Sequence, residues 1–263
     1  MRSTNVQHHS LQSSTLSDFL SDFGLCLTAQ KGLVVKMKRN GKKSLALGLM
    51  LLAAFAIWTV LIQKADVRPV GQNGTSIGFA AVNTAFFELT GVHMAIYTVT
   101  DRLGLVPIFV CMAFGIMGFI QMIKRKSLLK VDYDIILLGV YYIIVIFGYL
   151  LFEMIPINYR PVLIDGRLEA SYPSSTTLLV LSVMPTLAFE LRRRLKNTAA
   201  VKALVFITAA FSVFMVTGRL ISGVHWLTDI IGGILLSAGL FYIYKGTVLT
   251  VSARRKKGGK NGI

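Results

Sequence analysis

Six long apolar blocks, separated by basic linkers, constrain this chain more than any other feature. They run from Ser44 to Ile62, Leu105 to Ile123, Ile135 to Met154, Pro173 to Phe189, Ala199 to Thr217 and Thr228 to Tyr244. A helix crossing the hydrocarbon core of a bilayer needs about 20 mostly apolar residues. The blocks approach or reach that length, so the sequence predicts an all-α polytopic membrane bundle with six transmembrane helices. The fourth block is the weakest, opening with Pro-Ser-Ser-Thr-Thr and containing Pro185. Its polar start predicts a helix whose first turn lines a site instead of facing lipid. Between the first two blocks, Phe79 to Leu103 mixes apolar residues with Asn83, Glu88, His93 and Asp101, which predicts an amphipathic helix lying in the membrane interface.

The charges give the orientation. The net charge is +16, yet only 15% of residues are charged and 54% are hydrophobic. Such a balance excludes a soluble nucleic-acid binder, whose basic residues would decorate a water-exposed surface. In a six-span layout, 22 of the 28 Lys and Arg fall on one side, including Lys42, Lys124, Arg193 and Arg255. Lys64, Arg68, Arg102, Arg160, Arg167 and Arg219 occupy the other. The positive-inside rule makes both termini cytoplasmic, in a cell (plasma) membrane. Residues 1–43 read as a disordered or basic cytoplasmic segment, 44–245 as the membrane domain, and 246–263 as a basic cytoplasmic tail. The first 36 residues are Ser/Thr-rich and carry no signal-peptide pattern; Met37, just before Lys-Arg-Asn-Gly-Lys-Lys, is a natural alternative start. The two cysteines, Cys26 and Cys111, make no disulfide framework. Glycines at 232 and 233 predict close helix approach.

The outer face collects the chemistry. The third-to-fourth loop carries Glu153-Met-Ile-Pro-Ile-Asn-Tyr-Arg160-Pro161, and the fourth block starts at Tyr172-Pro173-Ser174-Ser175-Thr176. The fifth-to-sixth loop carries Gly218-Arg219, His225 and Asp229. His225 and Asp229 are four apart, so on a helix they share a side and the carboxylate can hold one imidazole nitrogen. The other nitrogen is then free as nucleophile or base. Guanidinium groups grip phosphate bidentately, and a helix N-terminus adds backbone donors. No His/Asp/Glu cluster with ligand spacing lies on this face, so neither metal nor cofactor is implied.

These motifs resemble the three signatures of the type 2 phosphatidic acid phosphatase superfamily: Lys-x6-Arg-Pro, Pro-Ser-Gly-His and Ser-Arg-x5-His-x3-Asp. The matches are Arg160-Pro161, Pro173-Ser174, and Arg219 with His225 and Asp229. The resemblance implies a six-helix phosphatase of lipid phosphates or diphosphates working at the extracytoplasmic face. It implies His225 as the nucleophile that forms a phosphohistidine, Asp229 as its orienter, and Arg160, Arg219 and Ser174 as the phosphate cradle. Four positions depart from the pattern. Glu153 stands at the lysine position, Thr176 at that of the acid histidine with Ser175 before it, and Gly218 at the serine of the third signature. Threonine donates a hydrogen bond but is no proton donor with a pKa near 7. The alternatives are therefore an impaired homologue that binds phosphorylated lipid without hydrolysis, or a phospholipid head-group transferase.

Overall fold

The computed structural model describes residues 11–196 and 198–258. Eight helices follow one another: α1 Leu11–Ile62, α2 Ala80–Thr90, α3 Met94–Leu103, α4 Leu105–Arg125, α5 Tyr133–Met154, α6 Ser175–Arg194, α7 Ala199–Ile221 and α8 Leu227–Gly258. The only strand-like pairing among the described residues consists of isolated antiparallel bridges in loops. Two compact units divide the chain, Ser44–Lys245 and a smaller one formed by Met1–Lys43 with Gly246–Ile263. In the smaller unit Gly41 lies against Thr250, where a Cβ would come within 2.5 Å of the Thr250 hydroxyl. Residues 11–43 have a helical backbone within α1, and residues 1–10 of the segment expected to be disordered or basic fall outside the described residues.

Among the described residues, five segments are long and apolar enough to span a membrane: Val35–Ile62, Met94–Arg125, Tyr133–Met154, Ala199–Ile221 and Leu227–Lys257. One of them, Met94–Arg125, corrects the sequence reading. The stretch from Phe79 to Leu103 is two helices, because Gly91 takes a left-handed φ of 67° and ends α2. The second half, α3, then runs through Gly104, whose backbone stays right-handed helical, straight into α4. Met94–Arg125 is thus one long apolar segment, and only α2 remains separate from it.

Although 20 residues long, α6 is less apolar than these segments, and its packing shows why. Ser182, Thr186 and Glu190 recur every fourth residue, which puts them on one face of the helix. All three are buried. Tyr141 of α5 donates to the Ser182 carbonyl at 3.0 Å, Tyr142 meets the Thr186 hydroxyl at 2.8 Å, and Tyr244 of α8 donates to Glu190 at 2.9 Å. Neighbouring helices thus bond the Thr186 and Glu190 side chains and the Ser182 carbonyl, while the buried Ser182 hydroxyl has no partner among the described residues, so this polar stripe faces protein instead of lipid. Its other contacts close the core, where Val180, Met184 and Met215 pack together. Past Pro185, Arg193 and Arg194 pair with Asp134 and Glu190, tying the end of α6 to the start of α5.

Candidate functional site

The two loops that carry the expected site residues meet at one end of the bundle. Residues 158–171, between α5 and α6, form a short antiparallel hairpin: Arg160 N–H donates to the Glu169 carbonyl at 3.0 Å and Ser171 N–H to the Asn158 carbonyl at 2.9 Å. Asp165 and Gly166 turn it, both with positive φ, as a two-residue Asp-Gly hairpin turn requires. The hairpin sets Arg160 at the site. From α6, Ser174 is the N-cap, and its N–H donates to the Asp229 carbonyl at 3.1 Å. Gly232 and Gly233 of α8 permit this approach; a Cβ on Gly232 would sit 2.5 Å from the Tyr172 ring, and one on Gly233 3.3 Å from the Ser174 carbonyl.

The α7–α8 loop is held from its other side too. Gly223 has φ of 70°, and a side chain there would collide with the Gly91 carbonyl. The His93 N–H donates to the Ser222 carbonyl at 3.0 Å. Asn83 of α2 exchanges two hydrogen bonds with Thr228, one to its hydroxyl at 3.0 Å and one from its N–H at 3.2 Å. The stretch from Asn83 to His93 therefore acts as a brace for the loop that bears the histidine. His93 itself spends its ring nitrogen on the Thr90 carbonyl, 2.8 Å away.

His225, Arg219, Asp229 and Arg160 are 3%, 1%, 0% and 7% exposed. His225 precedes α8 instead of lying on it, which changes the role read from its spacing. Asp229 is the third residue of α8, and its carboxylate reaches back to accept from the Trp226 N–H at 2.9 Å, the acidic half of a capping box. Its other oxygen accepts from the Asn158 side chain at 3.3 Å. The carboxylate stands 3.7 Å from His225 Nδ1. That nitrogen is nearer to the Ser171 carbonyl, at 3.1 Å. A carbonyl can only accept, so Nδ1 carries the proton and Nε2 keeps its lone pair. Burial, with Arg160 and Arg219 close by, holds the His225 imidazole well below the usual 6.5. The ring is neutral at pH 7.

Both guanidinium groups converge on that lone pair. Arg160 Nη1 is 3.4 Å and Arg219 Nη2 3.5 Å from His225 Nε2. Glu169 flanks Arg160 at 3.0 Å, Asp101 lies 3.7 Å from Arg219, and the Tyr97 ring faces Arg219 with its centroid 4.9 Å away. Arg219 Nε and the Ser174 hydroxyl are buried without a hydrogen-bond partner among the described residues. Buried polar groups rarely stay unpaired. Two guanidinium groups and a neutral imidazole thus converge, with the start of α6 tied to Asp229 beside them, an arrangement that suits a tetrahedral oxyanion.

The four departing positions lie on the helices that carry or adjoin these residues. Glu153, on α5, and Ser175 line a small cleft with Ser171 and Tyr172. Thr176, with Ser175, Asp101 and Tyr149, lines the polar end of a larger cavity of about 480 Å³ whose walls come from α4, α5 and α6, among them Leu105, Val145 and Leu179. At Gly218 a Cβ would come within 2.6 Å of the Thr100 methyl, so the buried Thr100 of α3 takes the space a serine would need. Sequence reasoning missed Asn158, Ser171, Asp101 and Glu169. Asn158 stood in plain view two residues before Arg160. Ser171 acts through its backbone, so no side-chain motif could reveal it.

A helical membrane bundle with an arginine-flanked histidine at one end defines a class, and the comparisons agree. Residues 75–252 match the model of the PAP2 superfamily, more than half of the chain, and the chain belongs to that family. Phosphatidylglycerophosphatase B of Bacillus subtilis (strain 168) is 32% identical over 88 residues, which are 33% of this chain and 43% of the relative. The matched stretch is thus less than half of that relative's length. In fold, the chain is similar to the crystal structure of a transmembrane PAP2-type phosphatidylglycerolphosphate phosphatase, also from Bacillus subtilis. The TM-score is 0.54 at 20% identity, over 76% of this chain and 95% of that one.

Proposed function

We propose that the protein is an integral-membrane phosphatase that hydrolyses a lipid phosphate or diphosphate through His225. The observation that carries the reading is the neutral imidazole whose bare Nε2 lies 3.4 and 3.5 Å from two buried guanidinium groups. Nε2 attacks the terminal phosphorus, its bond to the ester oxygen of a monoester or the bridging oxygen of a diphosphate breaks, and the lipid alcohol, protonated by water, or the lipid monophosphate leaves. Water then attacks the phosphohistidine, giving inorganic phosphate and the free imidazole. Arg160 and Arg219 oppose the charge that builds on the phosphoryl oxygens, and the Ser174 hydroxyl donates to one of them. Asp229, 3.7 Å from Nδ1, steadies the imidazolium that forms during transfer. No metal takes part in this scheme.

The lipid tail fits the cavity between α4, α5 and α6, whose volume lies in the usual range for ligand sites. With α6 as a sixth span between α5 and α7, both termini lie on the cytoplasmic side of the plasma membrane and the site on the outer face. The membrane domain is residues 44–245, flanked by basic segments at 1–43 and 246–263. Thr176 at the polar end of the cavity favours a substrate with a good leaving group, since threonine does not supply a proton near neutral pH. Phosphatidylglycerophosphate, the lipid in the relative's name, belongs in the test panel with lipid diphosphates. Phosphate release in detergent with EDTA, lost in His225→Ala, is the expected result. Wild-type turnover equal to that of His225→Ala across the panel would leave binding without hydrolysis as the surviving reading.

A further inference from the structure

A second cavity lies along α6, α7 and α8, well away from His225. Its volume is about 380 Å³, and Pro185, Ala188, Phe189, Ala209 and Phe241 make most of its wall. Small side chains at 188 and 209 leave the groove between the helices open. Thr208 and Ser212 also face it, but their hydroxyls donate to the Val205 and Thr208 carbonyls of their own helix at 2.8 and 2.9 Å. No polar group on that wall asks for water, so the lining suits hydrocarbon.

One end of the groove is cationic. Arg192 and Lys245 line it. Neither has a carboxylate partner among the described residues, in contrast to Arg193 and Arg194, which Asp134 and Glu190 engage at 2.7 to 3.6 Å. The Lys245 ammonium is 6.0 Å from the Phe241 ring centroid and 5.5 Å from that of Tyr242, so aromatic faces attract the charge without neutralising it. At 1.5 Å per residue, Arg192 lies about 26 Å along α6 from Ser175, and Lys245 about 27 Å along α8 from Leu227. That separation approaches the thickness of the hydrocarbon core, so the two cations lie at the membrane face opposite the histidine.

We propose that this groove binds an anionic phospholipid, with its phosphate between Arg192 and Lys245 and an acyl chain along Pro185, Ala188 and Ala209. The complementarity is twofold: an apolar wall without unsatisfied polar groups, and two uncompensated cations at head-group depth. Juxtamembrane Lys and Arg each contribute about fivefold to affinity for anionic lipid, so losing both weakens binding on the order of 30-fold. The site is independent of the reaction at His225.

The test is native mass spectrometry of the full chain in detergent, titrated with phosphatidylglycerol or phosphatidylcholine. The wild type retains one phosphatidylglycerol in preference to phosphatidylcholine, and His225→Ala retains it equally. Arg192→Gln/Lys245→Gln binds it roughly 30-fold more weakly, and Ala209→Trp, which fills the groove, loses it; circular dichroism identifies any variant that fails to fold, and either folded variant suffices. Equal binding of the two lipids overturns the proposal, as does phosphatidylglycerol held undiminished by the charge-neutralised variant. A dimer that Ala209→Trp disrupts would make a second copy the occupant, and overturns it too.

Discussion

Replacing Asp229 by asparagine removes one charge and almost no volume. In the native site the carboxylate accepts from Trp226 N–H at 2.9 Å and from Asn158 at 3.3 Å, and it stands 3.7 Å from His225 Nδ1. An asparagine keeps one acceptor and turns an NH2 group towards a donor, so the capping interaction weakens by about 1 kcal/mol. The larger effect falls on the transition state. As Nε2 bonds to phosphorus the ring becomes cationic, and a carboxylate about 4 Å away stabilises that charge by about 4 kcal/mol at an effective dielectric of 20. At about 1.4 kcal/mol per decade, turnover falls on the order of a thousandfold. The assay is phosphate release from a lipid phosphate, with single-turnover labelling of the protein by radioactive phosphate to follow the first step alone. Asp229→Asn slows labelling, whereas His225→Ala abolishes it. A folded Asp229→Asn within tenfold of wild type would refute the assigned electrostatic role.

The remaining predictions probe the neighbours. The depressed pKa of His225 keeps the nucleophile unprotonated as pH falls through 6.5, so the acid limb of kcat/KM lies below that value, and Arg160→Gln moves it upward. The same shift sets a stability trend: below pH 6.5 the unfolded chain binds a proton that the folded one refuses, so Tm falls on acidification, and less steeply in His225→Ala. Arg219→Lys loses the planar fork aimed at His225 and lowers kcat on the order of a hundredfold, read from steady-state phosphate release. Gly218→Ser forces a side chain against Thr100 and lowers stability by about 1–3 kcal/mol, with recovery in the Thr100→Ala background measured by thermal unfolding. Thr176→His, supplying a proton donor, speeds a lipid monoester at least tenfold and a diphosphate little, by on the order of 10²-fold at most for the first.

The helical membrane fold was legible because apolar blocks long enough to cross lipid have few other uses. Where the reading strayed, polarity and glycine conformation decided. Phe79–Leu103 looked like one amphipathic helix since its composition is mixed, but Gly91 with its positive φ splits it and α3 joins α4. The polar face of α6 read as weakness, whereas it packs against α5 and α8, whose tyrosines bond Thr186, Glu190 and the Ser182 carbonyl. At the site, Arg160, Arg219, His225, Asp229 and Ser174 could be picked out by residue type and spacing, and their side chains or backbones do meet at one end of the bundle. Their joint geometry could not, because it depends on partners far away in sequence. The His225–Asp229 spacing suggested a shared helical face; the first turn of α8 instead makes it a capping box. The Asp165-Gly166 turn that presents Arg160 was a recognisable hairpin signal all along.

The tautomer of the histidine rests on the main-chain oxygen of Ser171, 3.1 Å from Nδ1. Every amino acid at position 171 carries that oxygen, so no single-codon change can delete the acceptor. The determinant is invisible to an alanine scan and immune to drift at its own position. Only alterations that move the hairpin's backbone can disturb it, which makes loop length between α5 and α6 a more telling variable than the identity of residue 171.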